Sequence, residues 1–322
     1  VYKRQVQSSA VNPVHSYTRG GEYTVTLTVS GPRGESRVVA TNLVNVYEGA
    51  WIDGQNITGD FADAEAEVFQ NTVTDWGMWN ALLAMRGRLE SDQVVLGISG
   101  SVERSPNRNG VVIFFDVNPA TGTNVLLSWL SATNVAWRIK NMVGMRFDTV
   151  FTPDYALNIN IDDTGNNAYV DFSDLVRGTY VYWGQLQNLH VSYGYLSNGQ
   201  VQIAFYDQQA AGTSLSSTGT YATGIEMALR MSALGGTTDR CWVQALLINN
   251  SGSWSANQSL PPINGDTNGY AVSGATGAKR YDLVPGEQFM ILGIPEPGMW
   301  TAALAMVLMI CRGRAWRGVS TR

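Results

Sequence analysis

The sequence predicts an all-β protein. Three observations carry that expectation. Short apolar runs recur through residues 51–292, each ended by Gly, Asn, Asp or Ser. Such punctuation marks strands joined by turns. The run Tyr23-Thr24-Val25-Thr26-Leu27-Thr28-Val29 alternates at period two, the period of a strand with one buried face. Helical spacing of apolar residues is scarce throughout.

Composition sets the bounds. The chain has 322 residues, 44% of them hydrophobic, enough for two ordinary domains and too apolar for a disordered chain. Two cysteines cannot staple a chain of this length. A net charge of −5 argues against a nucleic-acid backbone as partner. Two histidines leave little material for a His-rich metal centre or a catalytic triad, and no Gly-x-Ser-x-Gly elbow occurs.

The elements follow in order. Gly20-Gly21 sets a tight turn before the first strand. Gly31-Pro32-Arg33-Gly34 is a turn cluster, and Arg37–Ala40 with Leu43–Val46 continues as a second strand. The chain opens on Val1, and residues 1–5 show no structural pattern, so the expectation is a sequence that begins mid-domain. Pro13-Val14-His15-Ser16-Tyr17, then Gly21-Glu22-Tyr23 and the Thr-Val-Thr-Leu-Thr-Val run, resembles the second half of a PKD domain over roughly residues 7–47. PKD domains are small extracellular β-sandwiches of Ig-like type. The family's upstream Trp-Asp-Phe-Gly-Asp-Gly signature does not occur in this sequence. Residues 1–47 are therefore expected to be a C-terminal half, without the strands to close its own sandwich. By the same resemblance His15 is structural.

Glu48-Gly49-Ala50 reads as a linker. Beyond it, strands are expected at Ala81–Met85, Val94–Gly100, Val111–Asp116, Tyr155–Ile161, Val201–Tyr206, Ile225–Leu229 and Trp242–Ile248. Turns of helix are expected within 62–69 and at Met231–Leu234. The spacing predicts a jelly-roll-like β-sandwich over residues 48–293. The order of Gly97-Ile98-Ser99-Gly100, Val112-Ile113-Phe114-Phe115-Asp116, Gly144-Met145-Arg146-Phe147-Asp148 and Gly224-Ile225-Glu226-Met227-Ala228-Leu229 resembles a group of bacterial surface proteins. Their sandwich is similar to family 9 carbohydrate-binding modules and DOMON-like domains. This resemblance covers about residues 75–292.

Residues 294–322 change character. Pro295-Glu296-Pro297 precedes thirteen uncharged residues, Met299–Cys311, and Arg312, Arg314 and Arg317 follow. The run is shorter than the roughly 20 residues of a stable membrane span. The preceding Pro-x-Pro and the following arginines distinguish it from a buried core helix. The arrangement resembles the PEP-CTERM sorting signal of Gram-negative bacteria. Pro295, Glu296 and Pro297 match its motif, a short apolar helix follows, and Arg312 and Arg314 match its basic end. The resemblance implies transient anchoring in the inner membrane, processing by an exosortase-type enzyme, and delivery to the cell surface or beyond. Removal of this tail, with its four arginines and one glutamate, takes the formal charge from −5 to −8.

Candidate chemistry is concentrated in the middle of the chain. In Tyr180-Val181-Tyr182-Trp183 a strand would place Tyr180 and Tyr182 on one face. Tyr180, Tyr182 and Trp183 are the candidate ligand-binding residues, set against the default of aromatic core packing. Calcium favours several loop oxygens. Asp116 and Asn118 form one oxygen-rich turn, and Asp162 and Asp163 begin another; ordinary Asx turns are the competing reading. Asp148, Asp171, Asp174 and Glu226 add carboxylates, but a glycosidase pair needs a set separation across a cleft. Cys241 sits in an apolar run and reads as a small buried hydrophobe. The expected function is a non-catalytic matrix or adhesion protein, secreted or surface-anchored, with extracellular polysaccharide as its partner. The alternative is the accessory portion of an extracellular carbohydrate-active enzyme whose catalytic domain lies upstream.

Overall fold

The computed structural model describes residues 21–32, 34–46, 52–77, 79–90, 92–118, 120–189, 194–207, 223–236, 240–263 and 274–293. The Pro295–Pro297 motif, Arg312 and Arg314 lie outside the described residues, as do His15, His190 and Tyr193. Among the described residues, no helix is long and apolar enough to cross a membrane. Strands dominate, so the all-β expectation holds. The chain divides into two compact units, residues 1–49 and 50–322.

The first unit holds β1 (Gly21–Gly31) and β2 (Gly34–Val46), an antiparallel hairpin closed by the Gly31–Gly34 pair. Gly34 has φ +124°, a conformation that L side chains rarely adopt. The alternation at Tyr23–Val29 calls for one buried face. In this two-stranded sheet Val25, Leu27, Val29, Val38 and Val39 are all exposed, because no second layer of described residues covers them. Isolated two-stranded hairpins are marginal in water.

The second unit is a sandwich of two antiparallel sheets. Its elements are α1 (Ile57–Asp60), β3 (Ala66–Phe69), β4 (Ala81–Glu90), β5 (Gln93–Ser101), β6 (Gly110–Asp116), α2 (Trp137–Asn141), β7 (Tyr155–Ile161), β8 (Ala168–Asp174), β9 (Thr179–Leu186), β10 (Gly194–Ser197), β11 (Val201–Phe205), β12 (Gly224–Arg230), β13 (Arg240–Ile248), β14 (Trp254–Leu260), β15 (Gly274–Ala275) and β16 (Met290–Gly293). The first sheet runs β10-β11-β12-β5-β4-β3, and the second runs β15-β14-β13-β6-β7-β8-β9 with β16 also paired to β13. Each of the seven apolar runs expected to be strands lies largely or wholly within one. Met231–Leu234 is a short 3-10 turn, as its spacing suggested. The helical turn expected within 62–69 is corrected. Ala66–Phe69 is β3, paired with β4, and the turn of helix falls earlier at Ile57–Asp60. Cross-strand pairing to β4 decides the matter, with Glu67 bonded to Arg86 at 2.9 Å.

The main core lies between the sheets. Val111, Ile113 and Phe115 of β6, Leu157, Ile159 and Ile161 of β7, and Val243, Ala245 and Leu247 of β13 face Val94, Leu96 and Ile98 of β5 and Met227 and Leu229 of β12. Both sheets are also covered on their outer faces. Residues 126–151 lay Leu130, Ile139, Met142, Phe147 and Phe151 over Val112, Phe114, Trp242 and Leu246 of the second sheet. Residues 57–61 lay Ile57 and Phe61 over Val95 and Ala228 of the first. Double coverage explains why Val111–Phe115 is apolar at every position rather than at alternate ones.

Lys279 is the buried lysine among the charged residues that the fold encloses. Its side chain is fully buried, and among the described residues its Nζ donates only to the Ala256 carbonyl oxygen, at 3.4 Å. Burial depresses its pKa to about 7, against a smaller opposing pull from Asp75. The unfolded chain therefore binds the proton more tightly, and this group adds stability as pH climbs from about 7 towards 10.5. Lys279→Met is expected to melt higher than wild type at pH 7, with the difference shrinking towards pH 10; thermal scans across that range check it.

Candidate functional site

The strand β7 sends Leu157, Ile159 and Ile161 inward, so Asn158 and Asn160 point to the outer face of the second sheet. Both are fully buried, and among the described residues no group hydrogen-bonds to the amide oxygen or nitrogen of either. Asn158 stands opposite Asp171 of β8 and Val112 of β6, and Asn160 stands opposite Tyr169 and Gly110. Gly110 makes room for Asn160, since a Cβ there would lie 2.6 Å from Asn160 Oδ1. A buried amide with no partner is destabilising by about 1–3 kcal/mol, so two on one strand mark an unusual floor.

Residues 133–138 run along β8 over the same face. Asn134 N–H donates to the Gly178 carbonyl at 3.1 Å, and Ala136 N–H donates to Ser173 Oγ at 3.1 Å. Arg138 follows, with Nη1 3.9 Å from Asp171 Oδ2. Its Nε and Nη2 donate to the carbonyl and side-chain oxygens of Asn250. Burial lowers the Arg138 pKa to about 10, with Asp171 opposing, and burial raises that of Asp171, with Arg138 opposing. Each charge of this pair is therefore held by the other.

Aromatic side chains border the polar floor. Tyr182 sits opposite Asp171, and Tyr180 sits opposite Ser173. Tyr169, Tyr180 and Tyr182 are all exposed, by 37–49%, and the Tyr169 and Tyr182 rings meet edge to face at 6.2 Å. Burial, then the nearby Tyr169, Asp171 and Tyr180, raise the pKa of Tyr182. Trp137, exposed, carries the Arg138 guanidinium over its ring at 4.7 Å. Trp129, also exposed, lies against Gly178 in the β8–β9 turn.

The expected pairing of Tyr180 with Tyr182 on one face matches this geometry. Trp183 is placed elsewhere. A register shift between Val170 and Asp171 sets it in a bulge, where it stacks on Phe172 at 4.3 Å and packs against the main core. The four residues considered for calcium are not brought together. Asp116 Oδ2 accepts the N–H and hydroxyl of Thr152, and Asn118 Oδ1 accepts the Ala120 N–H. Asp162 Oδ1 takes Thr164 N–H and Oγ1 together with the N–H groups of Asn166 and Asn167, and Oδ2 takes Asn167 Nδ2. Although burial acts to raise its pKa, these donors hold it below the usual carboxylate value. Asp163 pairs with Arg108. Asp116, Asp154 and Asp174 stand at one end of β6, β7 and β8, and each ties down a neighbouring loop. Burial raises Asp116 to about 6, opposed by the Thr152 N–H.

Asn158, Asn160, Tyr169, Asp171 and Arg138 were not among the expected ligand-binding residues. The first two had a readable signal: within Tyr155–Ile161 they alternate with Leu and Ile, so they share a face. Comparison of the chain with known protein families, curated proteins and solved structures finds no match in any of the three. The fold and this face together define a β-sandwich with a polar-floored, aromatic-edged outer surface. In urea unfolding, Trp183→Ala is expected to lose about 2–3 kcal/mol through its core contacts. Tyr182→Ala, at the exposed edge, is expected to lose less than about 1 kcal/mol.

Proposed function

We propose that this chain is a non-catalytic carbohydrate-binding protein of the bacterial exterior, holding extracellular polysaccharide on the outer face of β8 and β9. The observation that carries the reading is the shared exposure of Tyr169, Tyr180 and Tyr182 at the β9 edge of the second sheet. A sugar ring offers an apolar C–H face and a rim of hydroxyls. Tyrosine rings match the first, and the phenol hydroxyls of the same exposed tyrosines match the second. The acidic balance of the chain suits a neutral glycan better than a polyanionic one. Export and surface attachment rest on the likeness of residues 294–322 to a sorting signal, and on the likeness of residues 7–47 to an extracellular PKD half-domain.

Affinity electrophoresis of the purified chain through gels carrying neutral polysaccharides tests the reading. Retardation by at least one glycan is expected, lost in the Tyr180→Ala, Tyr182→Ala double variant while its far-UV spectrum and melting point stay close to wild type. Migration that no polysaccharide changes would refute it, as would retardation that the double variant retains.

A further inference from the structure

A second cluster lies on the other sheet. On β12, Ile225, Met227 and Leu229 point into the main core, so Glu226 and Ala228 point outward. Residues 52–61 lie against that face. Gly97, opposite Glu226 on β5, permits the approach, since a Cβ there would lie 2.6 Å from the Phe61 ring. Glu226 is fully buried as a result. Its Oε2 accepts the Asp53 N–H at 2.9 Å and the Gly54 N–H at 2.8 Å, while Oε1 has no hydrogen-bond partner among the described residues. Gly54 is required there. Its φ is +74°, and a Cβ would lie 2.6 Å from the Tyr206 nitrogen and 2.8 Å from the Gly224 oxygen.

Two more carboxylates converge on this glutamate. One oxygen from each of Asp53, Asp60 and Glu226 lies within 4.8 Å of the others. Asp53 Oδ1 accepts the Gln55 N–H, and Asp60 Oδ1 accepts Asn56 Nδ2. Among the described residues nothing donates to the second oxygen of either. Burial raises the Glu226 pKa, and Asp60 and Asp53 raise it further against its two backbone donors. Arg88 acts on Asp60, but its guanidinium is bonded to Asp63, Glu90 and the Asp60 carbonyl. Three acidic groups thus meet at Glu226, a buried residue whose Oε1 has no hydrogen-bond partner among the described residues.

We propose that Asp53, Asp60 and Glu226 form a calcium site that fastens residues 52–60 to the first sheet. Calcium takes oxygen ligands at about 2.3–2.6 Å, so oxygens sharing one ion stand up to about 5 Å apart, the separation available here. The donors are all hard oxygens, without the nitrogen or sulfur that zinc or copper would prefer. Two come from the Asp53–Asp60 loop and one from β12, so the ion joins chain segments distant in sequence. Magnesium demands a tighter octahedron and gives up its water reluctantly. The site does not depend on the carbohydrate reading, because it lies on the opposite sheet.

The test uses the full chain, stripped with chelator and dialysed. Calcium or magnesium is then added at matched millimolar concentrations. Melting temperature and calorimetric stoichiometry are the readouts. Calcium is expected to raise the melting temperature of wild type, with one ion bound, and magnesium to do so far less. Glu226→Gln keeps an acceptor for the two backbone N–H groups and is expected to lose the calcium response while folding in chelator. Asp60→Asn, at a half-buried position, is expected to weaken calcium binding about tenfold or more. A wild-type melting temperature indifferent to calcium would overturn the proposal. So would an equal magnesium response, or a calcium response that both variants retain undiminished.

Discussion

The alternation along β7 is the constraint on which the rest of the second unit depends. Leu157, Ile159 and Ile161 enter the space between the sheets because β6 and β8 hold β7 in a fixed antiparallel register on both sides. That register leaves Asn158 and Asn160 no choice of face. A slip of one residue would drive both amides into the main core and expel three large apolar side chains. The polar floor is therefore a consequence of core packing, and it is as firmly placed as the core.

Covering layers then shape what the floor can do. Residues 126–151 bury the apolar part of the second sheet's outer face, through Phe114, Phe147, Phe151, Phe289 and Trp242 in successive ring contacts of 4.7–5.5 Å. The Asn134 N–H ties the cover to Gly178 in the β8–β9 turn, the Ala136 N–H ties it to the Ser173 hydroxyl of β8, and Arg138 ends it over Asp171. Beyond it, toward the β9 edge, the tyrosines stand open. On the first sheet the cover is much smaller. Ile57 and Phe61 supply its apolar contacts, and Glu226 supplies its polar attachment through Asp53 and Gly54.

Much of this was legible in the sequence. Seven apolar runs mark strands because burial on two faces demands continuous apolar sequence, and Tyr180-Val181-Tyr182 declares its shared face by spacing alone. The less apolar strands were harder. Ala168–Asp174 carries Tyr169, Asp171, Ser173 and Asp174 among its core residues, and Trp254–Leu260 carries three serine or glutamine positions buried by neighbours rather than by their own character. Residues 62–69 read as a turn of helix, and only pairing with β4 makes Ala66–Phe69 a strand. Trp183, a candidate for ligand binding, packs instead on Phe172 and the main core, on the face opposite Tyr180 and Tyr182. The Asp53–Asp60–Glu226 cluster joins residues more than 160 positions apart in sequence, and no local pattern reports such a meeting.

The central claim is that the outer face of β7–β9 is where this protein meets its ligand. Its most direct test is nuclear magnetic resonance of the ring signals of Tyr169, Tyr180 and Tyr182, assigned by substitution, during titration with a panel of neutral oligosaccharides. The account predicts that at least one sugar moves the ring signals of Tyr169, Tyr180 and Tyr182 together. Signals on this face that stay unmoved throughout, or shifts confined to another surface, would contradict it.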